Sequence, residues 1–204
     1  SMQEFINIVK YEHIHALIQQ RRFQEATALL EILIQFQPDH PRWYELRLII
    51  ASQNSKVDEY LIWYALIQEQ FPDSSTAWLA KGLYPGVKIQ TARDALLTAA
   101  KLDPENPYLF YFLAKTYRYL GNYRLALKNA NRCLALDPLF YLVLLERIDC
   151  YGHLGNMTEQ ITDAFAAICY LDGMNKYHLF KKILDEFTRY INSSKKLPPG
   201  KTDD

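Results

Sequence analysis

The chain has 204 residues, half of them hydrophobic, and its 23 basic residues balance its 23 acidic ones. This length and apolar content suffice for a sizeable core, while the charge balance argues against the broad positive field that sequence-independent nucleic-acid binding requires. The sequence has no run of about 18 uncharged apolar residues, so no membrane insertion is expected.

The three cysteines, Cys133, Cys150 and Cys169, are irregularly spaced and lie inside apolar helical segments. They do not form the pattern of a disulfide framework, and we expect all three to be small buried core residues. Free cysteines without a secretory leader predict an intracellular, cytoplasmic protein.

Four prolines recur at a nearly fixed interval along the chain. Pro38, Pro72, Pro104 and Pro138 stand 34, 32 and 34 residues apart, and each closes an apolar helical run. This period is typical of helix-turn-helix repeats, which bury their apolar faces by stacking on their neighbours. We therefore predict an all-α superhelix, or solenoid, with an extended concave wall.

The first three units of this array are irregular. The first, about 7–38, has Arg21-Arg22 at the turn between its helices, and the second, about 41–72, has the polar turn Ser52 to Lys56. The third, about 75–104, is two residues shorter, and Pro85-Gly86 ends its first helix early. The short unit predicts a local bend of the superhelix or an altered groove.

The later units are more regular. In the fourth, about 107–138, we predict helices over 108–120 and 123–136 around the turn Gly121-Asn122. The fifth unit, about 141–172, repeats this pattern with Leu154-Gly155-Asn156. An amphipathic helix over 175–192 is predicted to cap the array, and the polar, proline-rich residues 193–204 are expected to form a flexible tail.

The fourth unit resembles the tetratricopeptide repeat at its packing and turn positions, which are Leu113-Ala114, Tyr117, Gly121-Asn122-Tyr123, Ala126-Leu127 and Leu136-Asp137-Pro138. The resemblance implies about five such repeats plus the capping helix, in one domain over 5–192. It also implies that the first helix of each repeat lines the concave wall and that the wall binds a protein partner.

The side of the fourth repeat's first helix opposite its packing stripe carries interface-type residues. Tyrosine and arginine are enriched at binding hot spots, so we expect this side to contact a ligand. The candidates are Tyr108, Tyr111, Lys115, Arg118 and Tyr119, with Leu145, Asp149 and His153 on the next repeat and Tyr11, His15, Arg42, Glu45 and Ile49 on the first two. For Tyr108 and Tyr111, packing between adjacent repeats is the alternative interpretation.

Nothing in the sequence indicates catalysis, a cofactor or a metal ion. There is no Gly-x-Ser-x-Gly elbow, and Gly200-Lys201-Thr202 lacks the earlier glycine of a phosphate-binding loop. His13 and His15 are two positions apart on a helix, so their side chains point about 200° apart and cannot share one ion. We expect a non-catalytic protein with no cofactor.

The leading hypothesis is an interaction scaffold whose groove binds a peptide segment of a partner protein. One alternative is single-stranded RNA binding, in which tyrosines stack on bases and Lys115 and Arg118 contact phosphates. Acidic residues near the groove weigh against nucleic acid. A second alternative is an accessory domain of a larger enzyme, and homodimerisation through Trp43, Trp63 or Trp78 also stays open.

Overall fold

The computed structural model describes residues 2–170 and 173–194, which form eleven α-helices and no strand. In chain order the helices are α1 (Met2–Gln19), α2 (Phe23–Phe36), α3 (Pro41–Gln53), α4 (Val57–Gln70), α5 (Ser75–Gly82), α6 (Ile89–Leu102), α7 (Pro107–Tyr119), α8 (Tyr123–Leu136), α9 (Leu142–Leu154), α10 (Met157–Ile168) and α11 (Gly173–Ser194). Successive helices pair from α1/α2 to α9/α10, and each pair stacks on the next. The predicted all-α solenoid is confirmed.

The fourth pair shows how local sequence sets these hairpins. Pro107 occupies the first turn of α7, where a missing N–H costs nothing, and the Asn106 side chain accepts a hydrogen bond from the Tyr108 backbone N–H at 3.1 Å. Gly121 then adopts a φ of +73°, and Asn122 caps α8. The two helices predicted for this unit therefore agree with α7 and α8 to within one residue.

Two other turns reach the same backbone conformation without glycine. Arg21, between α1 and α2, has a φ of +57°, and Ser55, between α3 and α4, has a φ of +55°. A side chain in this left-handed region crowds the neighbouring carbonyl and costs roughly 1–2 kcal/mol relative to glycine. These two turns are therefore under conformational strain that the Gly121 turn does not carry.

The third pair has the short first helix that Pro85-Gly86 predicts. Helix α5 is 8 residues long, whereas α3, α7 and α9 are each 13 residues long. Shortening one helix of the concave wall lets the helices on either side of it approach each other.

The main hydrophobic core crosses the concave side of the superhelix. It joins α1 to α3, α5 and α7 through buried side chains that include Ile14, Leu17, Ile18, Leu46, Ile49, Leu79, Tyr108 and Phe112. A first helix from the first repeat therefore packs against a first helix from the fourth repeat. The expected open wall is filled over these repeats by the protein's own side chains.

Three expectations about individual residues need correction or limits. Cys133 and Cys150 are buried, but Cys169 is exposed because it lies at the C-terminal end of α10, after the last buried turn. Trp43 is almost fully buried, so it is not available for a dimer contact. The predicted tail lies outside the described residues from position 195 onward.

The last helix, α11, packs on α10 and covers the end of the array. Leu179 is buried in a core cluster with Ile148 and Ala164. None of the described helices is long and apolar enough to cross a membrane.

Candidate functional site

Helix α1 closes the concave side of the first four repeats by packing against α7. His15, which is 3% exposed, lies at the centre of this contact. Its Nδ1 lies 2.7 Å from the hydroxyl of Tyr108 on α7, and its Nε2 lies 2.7 Å from Oδ2 of Asp137. The imidazole is therefore within hydrogen-bonding distance of both side chains, through a different ring nitrogen for each. Burial raises the pKa of Tyr108 well above its ordinary value, so the phenol stays protonated.

Other contacts of α1 reach the same region of the fourth and fifth repeats. Gln19 donates to the carbonyl of Leu139 at 3.0 Å, and the ring of His15 lies 5.0 Å from that of Phe140. Burial disfavours the charge of Asp137, but the hydrogen bond and charge of His15 and the N–H of Leu139 bring the pKa of Asp137 below its ordinary value. The carboxylate therefore stays charged and holds α1 in place.

A second buried polar cluster ties three repeats together around Glu45. This carboxylate is 1% exposed and accepts hydrogen bonds from Arg42 at 2.8 Å, Asn106 at 2.8 Å and Thr76 at 3.1 Å. Arg42 also pairs with Asp103 at 2.7 Å. A buried carboxylate with three donors fixes the positions of the repeats, and its burial keeps it out of reach of a ligand.

Five of the ten groove residues expected on the first four repeats are buried. Tyr108 is fully buried and Tyr111 is 7% exposed, because α1 and Phe140 cover the side of α7 that they occupy. Neither side chain is accessible to a ligand in this structure, as the packing interpretation requires. The same holds for His15, Glu45 and Ile49.

The concave side opens again beyond the closure, in a cleft of about 300 Å³ between α7, α9 and α11. We call this the α7–α9–α11 cleft, and its lining comprises Arg118, Leu145, Glu146, Ile148, Asp149, His178, Leu179 and Lys182. The structure thus brings together Arg118, Leu145 and Asp149 of the residues predicted from sequence.

Ion pairs organise the floor and rim of this cleft. Arg118 lies 2.5 Å from Glu146 and 3.2 Å from Asp149, and Lys182 of α11 also pairs with Asp149. Burial opposes the charge of Arg118, but the charge and hydrogen bond of Glu146 and the charge of Asp149 raise its pKa above the ordinary value. The cleft therefore presents cations and anions side by side over an apolar base.

The remaining predicted residues lie around the cleft. Tyr119 is 63% exposed and its ring lies 4.4 Å from the guanidinium of Arg118. Lys115 is half-buried on the same helix and makes no ion pair with any described residue. His153 is exposed, stacks on Tyr123 and lines a neighbouring cleft of about 510 Å³ with Lys182.

Sequence reasoning missed the contribution of α11 to this site. Its pattern predicts Lys182 on the outer, polar side of a capping helix and assigns no role to His178, yet both residues line the α7–α9–α11 cleft. The spacing of His178 and Lys182 could have indicated this role. Residues four apart lie on the same side of a helix, and a helix that continues the array turns one side toward the concave wall, as the earlier first helices do.

Over the part of the chain that the structure describes, no three His, Cys, Asp or Glu side chains come close enough together to hold a metal ion. The potential donors of the cleft are already committed to ion pairs with Arg118 and Lys182. The arrangement provides recognition groups for a polar ligand, and it does not provide a nucleophile next to a base.

The stacked helical hairpins define a repeat solenoid, and a comparison with protein-family models identifies the repeat family. The chain belongs to the tetratricopeptide repeat family, whose model matches residues 11–75 and 113–173, more than half of the chain. A comparison with curated protein sequences found no significant match.

Solved structures of low sequence identity share the fold. The chain is similar to TTC0263, a tetratricopeptide repeat protein of Thermus thermophilus, with 16% identity, a TM-score of 0.56, and coverage of 82% of this chain and 91% of that one. It is similar to YrrB with 20% identity, a TM-score of 0.54, and coverage of 82% and 87%. A chain of the Cut9–Hcn1 assembly gives 17% identity and a TM-score of 0.67, over 91% of this chain and 38% of that one.

Proposed function

We propose that the protein is a non-catalytic scaffold that binds a peptide segment of a partner protein in the α7–α9–α11 cleft. Tetratricopeptide repeats commonly mediate protein–protein interaction, and proteins of this fold are generally non-catalytic. The observation that carries the proposal is that α1 fills only part of the concave side. It fills the groove of the first four repeats, whereas Lys115, Tyr119 and the α7–α9–α11 cleft beside them stay accessible.

The chemistry of the cleft suits a peptide of mixed charge. Leu145, Ile148 and Leu179 provide an apolar base, which can receive one hydrophobic side chain of the ligand. Arg118 and Lys182 lie next to Glu146 and Asp149, so charges of both signs on the ligand find partners at the rim. Exposed Tyr119 beside them adds the kind of rigid aromatic surface that dominates binding hot spots.

Single-stranded RNA is less well supported as the ligand. Base stacking needs accessible tyrosines, and of Tyr108, Tyr111 and Tyr119 only Tyr119 is exposed. The carboxylates of Glu146 and Asp149 lie where phosphates would have to approach Arg118. These observations favour a protein partner.

The test uses peptides selected from a displayed random library against the whole chain. Tyr119→Ala removes an aromatic side chain beside the cleft, and Phe165→Ala on α10 removes an aromatic side chain of equal exposure, 63%, as the matched control. We expect Tyr119→Ala to weaken peptide binding about tenfold or more and Phe165→Ala to leave it unchanged.

Equal effects of the two substitutions on peptide affinity would contradict the assignment of the cleft. Fluorescence anisotropy with a labelled oligouridylate tests the RNA alternative in the same set of variants. Tight RNA binding that is lost specifically in Tyr119→Ala would replace the peptide proposal with the nucleic-acid one.

A further inference from the structure

The turn between α1 and α2 has an unusual composition for a helical hairpin. Residues 2–36 contain no glycine or proline, so both helices and the turn at Gln20 to Arg22 consist of residues that a helix accepts. The turn nevertheless places Arg21 in the left-handed region, at a φ of +57°. If these turn residues became helical, α1 and α2 would join into one helix about 50 Å long, and the strain at Arg21 would be relieved.

The partners of α1 lie far from it in sequence. His15 contacts Tyr108 and Asp137, which follow it by 93 and 122 positions, and Gln19 contacts Leu139, 120 positions away. None of these contacts depends on the short covalent link to α2. A second copy of the chain presents the same groove to the same helix.

If α1 left the groove to join α2 in one helix, its apolar side would need a new partner to cover it. Ile14, Leu17 and Ile18 are between 0% and 3% exposed in the groove, and an extended helix would carry them into water. The groove left behind would expose Tyr108, Phe112 and Leu46 in turn. The apolar side of α1 and the emptied groove are both buried again when the α1 helices of two chains exchange places.

We propose that α1 exchanges between two copies of this chain, each α1 filling the concave side of the other copy, in a reciprocal dimer. The interaction surface is the groove formed by α3, α7 and residues 137–142, and the partner is the same chain. This inference does not depend on peptide binding in the α7–α9–α11 cleft.

The first test compares two substitutions at the strained turn. Arg21→Ala and Arg21→Gly both remove the arginine side chain, but alanine favours the continuous helix and glycine favours the left-handed turn. We expect the dimer dissociation constant of Arg21→Ala to be at least about 100-fold lower than that of Arg21→Gly, since the preference acts at both turns of a dimer. Analytical ultracentrifugation measures both constants, and circular dichroism checks that both variants are folded.

A matched control uses the other strained turn. Ser55→Ala and Ser55→Gly change the backbone preference between α3 and α4 and leave the turn between α1 and α2 unaltered. We expect these two variants to have the same dissociation constant as each other. If the dimer dissociation constants of Ser55→Ala and Ser55→Gly differed as much as those of Arg21→Ala and Arg21→Gly, the assignment of the exchange to α1 would be overturned.

The second test detects exchange in the unsubstituted turn. Ile8 is exposed and lies beside Glu105, Pro107, Leu136 and Asp137, so a photo-crosslinking amino acid at position 8 reports where α1 sits. Nitrogen-15-labelled and unlabelled chains are co-refolded at high concentration, irradiated, and the dimer fraction is digested for mass spectrometry. We expect about half of the cross-links from position 8 to residues 105–137 to join a light peptide to a heavy one, as random pairing requires. Cross-links in the dimer that join only peptides of the same label would overturn the proposal, as would the absence of any dimer.

Discussion

The Nδ1 of His15 and the hydroxyl of Tyr108 lie 2.7 Å apart, although 93 residues separate them in the chain. Each side chain occupies the concave side of its own repeat, so the contact joins the first repeat to the fourth across what would otherwise be an open groove. The eight-residue α5 lies between them in the array. This contact makes part of the concave side a core between the first and fourth repeats.

The buried Glu45 cluster should matter far more to stability than an exposed ion pair. Glu45→Ala leaves Arg42 and Asn106 without their shared acceptor, and we expect a loss of about 3 kcal/mol in the free energy of unfolding. Glu105→Ala, which removes an exposed pair with Arg132, should change that free energy by less than about 0.5 kcal/mol. Urea denaturation measures both, and similar small losses would contradict the buried cluster.

The lowered pKa of Asp137 predicts how the closure responds to acid. A carboxyl whose pKa is lower in the folded than in the unfolded state adds stability above its unfolded pKa of about 3.9, and loses it as the pH falls through the folded pKa. The stability difference between the parent chain and Asp137→Asn should therefore shrink below about pH 4. Urea titrations at a series of pH values measure it, and a constant difference would show that Asp137 is not stabilised as a carboxylate.

The positive φ of Ser55 and Gly121 predicts opposite changes in stability when glycine is added at one turn and removed at the other. Ser55→Gly should raise the free energy of unfolding by about 1 kcal/mol, since glycine adopts a φ of +55° without strain. Gly121→Ala should lower it by a similar amount, although nothing lies within 4 Å of the added methyl group. Thermal denaturation of the two variants reads out both effects, and changes of the same sign would refute the backbone explanation.

The three thiols should differ sharply in reactivity. Burial raises the pKa of Cys133 above its ordinary value and that of Cys150 to about 11, whereas Cys169 is exposed. A chromogenic thiol reagent at neutral pH should modify one cysteine per folded chain rapidly and three after denaturation. Loss of the rapid phase in Cys169→Ser would confirm the assignment, and its persistence would refute it.

The fold was predictable because it depends on local patterns. The proline period, Gly121-Asn122 and the alternation of small and large residues on α8 are all readable over a few turns of helix. The short α5 was predictable for the same reason, since Pro85-Gly86 stands in the sequence.

The state of the groove was not predictable in the same way. We expected Tyr108, Tyr111 and His15 on the concave side of their helices, and whether they are buried there depends on how far the superhelix curls over four repeats. That curvature sums small rotations at every helix contact, and no single residue specifies it. The place of Lys182 in the cleft was missed for a related reason, because it depends on how α11 sits against α7 and α9.

The most direct test of the closed concave side is the coupling energy between His15 and Tyr108. In a double-mutant cycle of His15→Ala and Tyr108→Phe followed by urea unfolding, we expect a coupling of about 1 kcal/mol, because the two side chains share a buried hydrogen bond. His13→Ala, on the exposed side of the same helix, paired with Tyr108→Phe should give a coupling within error of zero. A His15–Tyr108 coupling that is also zero would mean that α1 does not pack on α7, and would contradict the closed concave side.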